Sequence, residues 1–286
     1  MPESNERSPW DRVQIARNAA RPHTLHYVNQ LCTDFVELHG DRAAGDDQAL
    51  VGGLAHFRGR SVMILGHQKG ENTKENIARN FGMPKPTGYR KALRLMRHAE
   101  KFRFPIITFV DTPGADPGLT SEEGGQAFAI ADNIYAMATL ETPIVSVVIG
   151  EGGSGGALAI GVADRVLMLE NSVYSVASPE AAAAILWKDA ARAPEAAAAM
   201  RVTAPDLLSF GLVDDIIPEP TPAHEDPAAT IVAVGDAIER HLDTLIELTA
   251  DGPDALLQAR YAKYRAMGRW TETQQANITT PASQTT

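Results

Sequence analysis

Apolar runs of strand length alternate along this chain with amphipathic stretches of helical length. "PIITFVDT" (105–112) and "PIVSVVIG" (143–150) are apolar at almost every position. Each predicts a strand covered on both faces. "ALVGGLAHF" (49–57) and "SVMILGHQ" (61–68) flank "RGR" and predict a β-hairpin, and "RVLMLE" and "VYSVAS" predict two further strands. "YRKALRLMRHAEKF" places Tyr89, Leu93, Met96, Ala99 and Phe102 on one helical face. "PWDRVQIARNAARP" and "TLHYVNQLCTDFVEL" predict N-terminal helices, and "KGENTKENIARNFGMPKPTG" a loop. Thr120 to Glu123 reads as a capping box opening the helix "EEGGQAFAIADNIYAMATL". "SGGALAIGVA" reads as the helix after the second apolar strand. Ser178 and Pro179 read as an N-cap and first helical position, with alanine-rich helices to about residue 200. "GLVDDIIPEP" closes the core.

Strand–helix alternation of this kind predicts an α/β fold with a parallel sheet. The expected organisation is an N-terminal helical segment (1–45), a core (46–220), a C-terminal helical pair (221–270) and a polar, disordered tail (271–286).

The chain has 286 residues, 44% of them hydrophobic, which suffices for a sizeable core. Its net charge of −10 argues against nucleic acid as a partner. No apolar stretch approaches the ~20 residues of a membrane span, and the N-terminus has no apolar signal region. Cys32 is the single cysteine, which excludes an intrachain disulfide and a multi-cysteine zinc site and suits a reducing, cytoplasmic setting. No metal site is expected. Charge is uneven: residues 69–103 carry ten Lys/Arg and three Glu. Within that block Lys69, Lys74, Arg79, Arg90 and Lys91 are candidate contacts for an anion or a protein partner, against the plainer reading of a solvated helix face.

The chemistry concentrates in "GEGGSGGALAIG" (150–161). Gly152, Ser154 and Gly156 fit G-x-S-x-G, which would make Ser154 a hydrolase nucleophile with Asp214 or Asp215 and then His224 in chain order. The same glycines can instead bare N–H groups at a strand-to-helix turn and form an oxyanion hole. A tight glycine-packed turn with no ligand is the third reading. "DTPGADPG" is a second such loop after the preceding strand, and two loops at neighbouring strand ends suggest one site. His67, in "GHQKG", either lines that cleft or makes a structural hydrogen bond.

"VGGLAHFRGRSVMILGHQKGENTKENIARNFGMPKPTGYRKALRLMRHAEKF", "PIITFVDTPGADPG", "VIGEGGSGGALAIGVADRVLMLENSVYSVASPE" and "GLVDDIIPEP" closely resemble the alpha subunit of bacterial acetyl-CoA carboxylase carboxyltransferase, over about residues 8–220. The resemblance implies a crotonase-like spiral of ββα units. It implies carboxyl transfer from carboxybiotin, on a biotin carrier protein, to acetyl-CoA, giving malonyl-CoA. The implied partners are a zinc-ribbon beta subunit in an α2β2 assembly, and a biotin carboxylase. In that chemistry oxygens of the biotin ureido group and of the thioester enolate take up charge, and the biotin nitrogen serves as base. The resemblance assigns the biotin-side N–H groups to Gly155, Gly156 and Ala157. It assigns the surrounding wall to Gly152, Gly153, Ser154, Gly114, Ala115 and Asp116.

Two positions depart from the family pattern. "PGADPG" has Asp116 where the family usually has Tyr, and "EEGGQ" has Gly124 where it has Arg. An added carboxylate beside the cleft would repel a carboxylate or demand a cationic partner. The departures fit either a variant complex with an altered acyl substrate or partner, or neutral drift. A non-catalytic assembly subunit, which has lost the reaction but kept the fold, is the remaining alternative.

Overall fold

A computed structural model describes residues 7–268. The predicted disordered tail (271–286) and the last two residues of the helical pair's range lie outside them.

The sheet grows from the apolar runs. Strands β2 (Leu50–Phe57) and β3 (Arg60–His67) form the expected hairpin, with Phe57 opposite Arg60. Arg58 and Gly59 turn it at φ of 47° and 83°, the doubly left-handed pattern that matches strand twist. Strands β4 (Ile106–Thr112), β5 (Ile144–Gly153), β6 (Arg165–Leu169) and β8 (Asp215–Ile217) continue it in parallel beyond β3, while β7 (Val173–Ser175) pairs with the far end of β5.

Strand β4 shows why these runs are uniformly apolar. Ile106 and Val110 face one core with Leu95 and Met137, whereas Ile107 and Phe109 face the other with Tyr27 and Ile238. The first layer comes from α4 (Pro86–Phe102), α6 (Gln126–Thr139) and α10 (Ala204–Ser209). The second comes from α2 (Thr24–Leu31), α11 (Pro227–Leu248) and α12 (Asp254–Ala266).

Several expectations are corrected. Cys32–Glu37 is not helical. It forms β1, the antiparallel edge of the sheet, so the N-terminal helical segment ends at Leu31. The run "CTDFVE" alternates apolar and polar positions, and pairing with β2 satisfies its backbone where a helix had no further face to bury. The predicted loop at 69–88 contains a short helix, α3 (Thr73–Ala78), capped by Asn72. Thr120 is not an N-cap. It lies inside α5 (Leu119–Glu123), which starts from Gly118 with no side-chain cap, and Gly125 at φ 83° breaks the predicted single helix before α6. The helix after β5 is only α7 (Ser154–Leu158). On α4, Tyr89, Met96 and Ala99 are buried as expected, but Ala92 and Leu95 complete the face while Phe102 is exposed. The Ser178 cap of α8 (Pro179–Trp187) is present, its hydroxyl accepting from Ala181 N at 3.1 Å.

The terminal segments are built into the core. Arg260 is 1% exposed as a side chain and joins Asp164 by two 2.8 Å bonds. It also donates to the carbonyls of Met137, Leu140 and Thr142. Among the described residues no helix is long and apolar enough to cross a membrane.

Candidate active site

Strands β4 and β5 are parallel neighbours, and their ends deliver both glycine loops to one place, with Thr112 in register with Gly152. Thr112 Oγ1 donates to Gly114 O at 2.7 Å and accepts from Gly114 N at 3.1 Å, which fixes the start of the first loop. The second loop packs on it backbone to backbone. A Cβ on Gly153 would stand 2.0 Å from Pro113 O, and one on Gly156 would stand 2.5 Å from Ala115 N. Gly155 is different: a Cβ there meets only Ile130, at 3.6 Å.

Thus the glycine-packed turn and the anion site are both present, at different residues. Gly153 and Gly156 are glycine because the loops touch. Gly155 is half-buried at the mouth. Gly153 is the N-cap of α7, so the helix leaves the N–H groups of Ser154, Gly155 and Gly156 without intrahelical acceptors. Ala157 is the fourth helical residue, and its N–H closes the first turn onto the cap carbonyl. The helix register therefore opens Gly155 and Gly156, and the neighbouring Ser154, in place of Ala157.

An apolar cleft of about 300 Å³ opens beside this mouth, lined by Gly155, Leu158, Val162, Tyr174, Leu207 and Tyr264 among others. Its apolar wall and adjacent open N–H groups fit a small bicyclic ring with one polar edge, as biotin is.

The hydrolase reading has no geometry behind it. Ser154 is exposed, in the left-handed region at φ 50°, and no His or carboxylate of the described residues is bonded to it. Asp214 is taken by Lys263 at 2.5 Å and by Val166 N. Asp215 is taken by Arg240 and His241, and His224 approaches Glu225.

The basic block is mostly committed internally, which corrects its reading as an anion or partner surface. Lys91 is buried against Asp46 and the Asp47 carbonyl. Arg90 binds Asp41 and the Gly124 carbonyl, and Arg79 binds Gln48 O. Lys69 turns inward to Asp111 at 2.6 Å. Lys74 remains an exposed side chain on α3. Asp116 is likewise satisfied at home, accepting from Asn80 at 3.1 Å and from Ser121 at 2.5 Å. Burial opposes its ionisation, but those donors hold its carboxyl below the usual range. It therefore requires no cationic partner.

Sequence reasoning missed the ionic cluster beneath the site. Asp111, at the end of β4, is buried and accepts from Lys69, from His23 at 3.1 Å and from Glu151 N at 3.2 Å. Glu151 binds Arg17, which also binds Glu180. Burial disfavours the Asp111 carboxylate, yet Lys69 and His23 hold it well below the usual range. The available signal was a lone acid closing an otherwise apolar strand.

His67 lies in the same layer, fully buried. Its Nδ1 accepts from Asp111 N at 3.4 Å, so the structural hydrogen bond is the reading that holds. Burial lowers its pKa from 6.5 to about 4. Between those values the unfolded chain binds a proton that the folded chain refuses. Stability is therefore complete above pH 6.5 and falls as pH drops, by roughly 2 kcal/mol at pH 5. Urea unfolding at pH 7.5 and pH 5 checks this. Equal stabilities would show that the ring is not held neutral, and His67→Gln should flatten the slope.

The chain matches the family described as "Acetyl co-enzyme A carboxylase carboxyltransferase-like" over residues 4–268. It is 58% identical over 263 residues to the acetyl-coenzyme A carboxylase carboxyl transferase subunit alpha of Prochlorococcus marinus, covering 92% of this chain and 79% of that one. The protein of the same name from a Synechococcus strain is 56% identical over 266 residues, covering 93% and 80%. Among solved structures, transcarboxylase 12S aligns with a TM-score of 0.62 at 24% identity, covering 77% of this chain and 42% of that one. The beta subunit of P. aeruginosa geranyl-CoA carboxylase aligns with a TM-score of 0.60 at 16% identity, covering 82% and 45%. The fold shared with these carboxyltransferases is the crotonase-like one.

Proposed function

The chain belongs to the acetyl-CoA carboxylase carboxyltransferase alpha-subunit family, and from that premise we propose how its two glycine loops serve carboxyl transfer to acetyl-CoA. It acts with a beta subunit on an acyl-CoA substrate, as its relatives' names imply. One observation carries the reading: the loops after β4 and β5 pack together so that the open N–H groups of Gly155 and Gly156 sit beside an apolar cleft.

Those N–H groups form the oxyanion site for the biotin ureido oxygen, and the cleft wall from Leu158 to Tyr264 receives its rings. Bound carboxybiotin, delivered by a carrier protein charged by a biotin carboxylase, supplies the carboxyl group and a base. Gly153 and the Pro113–Ala115 loop hold the donors in place, so charge is met without reorganisation. Ser154 is a loop residue and not a nucleophile. Asp116 and Gly124 are departures within their own corner of the fold, and acetyl-CoA is the substrate.

The beta subunit, of zinc-ribbon type in an α2β2 assembly, covers the outer face of α6. Phe128 and Tyr135, seven residues apart on that helix, are 79% and 75% exposed, and Leu119 on α5 is 68% exposed. Ile130 of the same helix faces Gly155, so the apolar face borders the site. The assembly is cytoplasmic.

The test is the reverse reaction, acetyl-CoA release from malonyl-CoA with a soluble biotin derivative. Activity is expected only when the chain is mixed with its beta partner, and Ser154→Ala should retain it. Turnover by the chain alone, or its loss in Ser154→Ala with labelling by a serine-reactive phosphonate, would return the hydrolase reading. Stable assembly with no turnover would support the non-catalytic one.

A further inference from the structure

Glycine gives the oxyanion loop access at the cost of rigidity, since each glycine retains wide φ/ψ freedom. A donor that wanders is a poor donor for developing charge. The question is what holds Gly156, whose N–H is one of the two glycine donors at the site.

Two buried polar atoms are left over beneath the loop. The first is the Gly156 carbonyl. In a longer helix it would accept from Ile160 N, but Ile160 donates to Ala157 O, Ala159 to Gly155 O and Gly161 to Leu158 O. No side chain of the described residues bonds the Gly156 carbonyl at hydrogen-bond distance. The second is His67 Nε2, on a fully buried ring, which also lacks a partner. The ring and the Gly156 carbonyl are neighbours, the carbonyl favouring the ring's protonated form. The other ring nitrogen accepts from Asp111 N, so Nε2 carries the hydrogen of the neutral ring. A buried donor and a buried acceptor, each otherwise unsatisfied, face one another across a short gap.

We infer that His67 is a positioning residue for the transferase reaction: its Nε2–H engages the Gly156 carbonyl and fixes the Gly156 N–H toward the oxygen that takes up charge. This rests on the oxyanion role given to the loop above. The bond restrains the orientation of both peptide planes at Gly156, and β3 and β4 hold the imidazole rigidly. Asp111 and Lys69 complete the support. Asp111 takes the Glu151 N–H at the start of the loop, Lys69 neutralises it, and the Asp111 N–H selects the ring tautomer.

The experiment compares His67→Met with His67→Gln in the assembled alpha–beta complex, by the reverse assay. Met fills the space without a donor, while the Gln amide can place an N–H near the Nε2 position. Losing an oxyanion donor outright costs ~10²–10³ in kcat, so loosening one should cost about tenfold or more. His67→Met is expected to lose that in kcat with KM for malonyl-CoA changed less than about twofold, and Gln to recover most of it. Wild-type kcat in the Met variant, equal loss in both variants, or a change confined to KM would overturn the inference. The wild-type complex in the same assay separates this outcome from failure of the oxyanion reading itself. Should the Met variant fail to fold, ¹⁵N-histidine spectra of the wild-type chain decide. An Nε2–H tautomer that persists to pH 5.5 is expected, and an Nδ1–H tautomer overturns it.

Discussion

Gly153→Ala is expected to abolish carboxyl transfer and to lower the melting temperature of the assembled enzyme, whereas Gly155→Ala leaves the fold intact. Two residues of one glycine run should behave differently because they meet different neighbours. The new methyl at 153 would stand 2.0 Å from Pro113 O and 2.3 Å from Pro113 C. Both are backbone atoms of a loop already fixed by Thr112. No side chain can swing away, so the two loops must separate. Overpacking in a tight interior typically costs ~1–3 kcal/mol and occasionally more, and backbone opposition at 2.0 Å belongs at or above the upper end. The functional cost is larger, because ~1 Å of misplacement at a catalytic group can remove ~10²-fold in rate. Gly156→Ala, at 2.5 Å from Ala115 N, should follow the same course. At Gly155 the nearest atoms are side-chain carbons of Ile130 beyond 3.5 Å, so stability should stay within about 0.5 kcal/mol of wild type. Thermal melts and reverse-assay turnover of the three variants decide the matter. Wild-type melting and turnover in Gly153→Ala would show that the loop-to-loop contact does not hold the site.

Arg260→Met should be the most destabilising single change in the C-terminal helices. Arg260 joins Asp164 by two bonds and caps the carbonyls of Met137, Leu140 and Thr142, all out of water. Asp164 also accepts from Ile144 N at the start of β5. Removing the guanidinium leaves a buried carboxylate without its cation, a loss worth ~3–5 kcal/mol. For a chain of this size that lowers the melting temperature by on the order of 10 °C. Adding Asp164→Asn should recover part of the loss, because the stranded charge is removed with its partner. If the single variant melts like wild type, α12 does not depend on this anchor. If the double variant is no better than the single one, the cost came from packing and lost carbonyl bonds.

The parts of the fold legible in the sequence were those set by local pattern. The apolar runs 105–112 and 143–150 became β4 and β5, "RGR" became the hairpin turn, and Ser178 became a cap. The misreadings fell where distant partners overrule local preference. "CTDFVE" became a strand because β2 offered an unpaired edge. Lys91 and Arg90 looked like a basic surface because their acids, Asp46 and Asp41, lie more than forty residues away in the chain.

By itself the sequence determined the α/β class, the meeting of two glycine loops at neighbouring strand ends, and the family. These follow from short-range periodicity and from long motifs read in order. Only the tertiary structure decided which glycine serves packing and which opens to a ligand, because that depends on what stands within ~3 Å of a Cβ that is not there. It also decided that Asp111, Lys69, His23 and His67 form one buried layer beneath the loop. Ion pairs and hydrogen bonds between residues tens of positions apart have no signature in spacing, since they exist only once the strands that carry them are aligned.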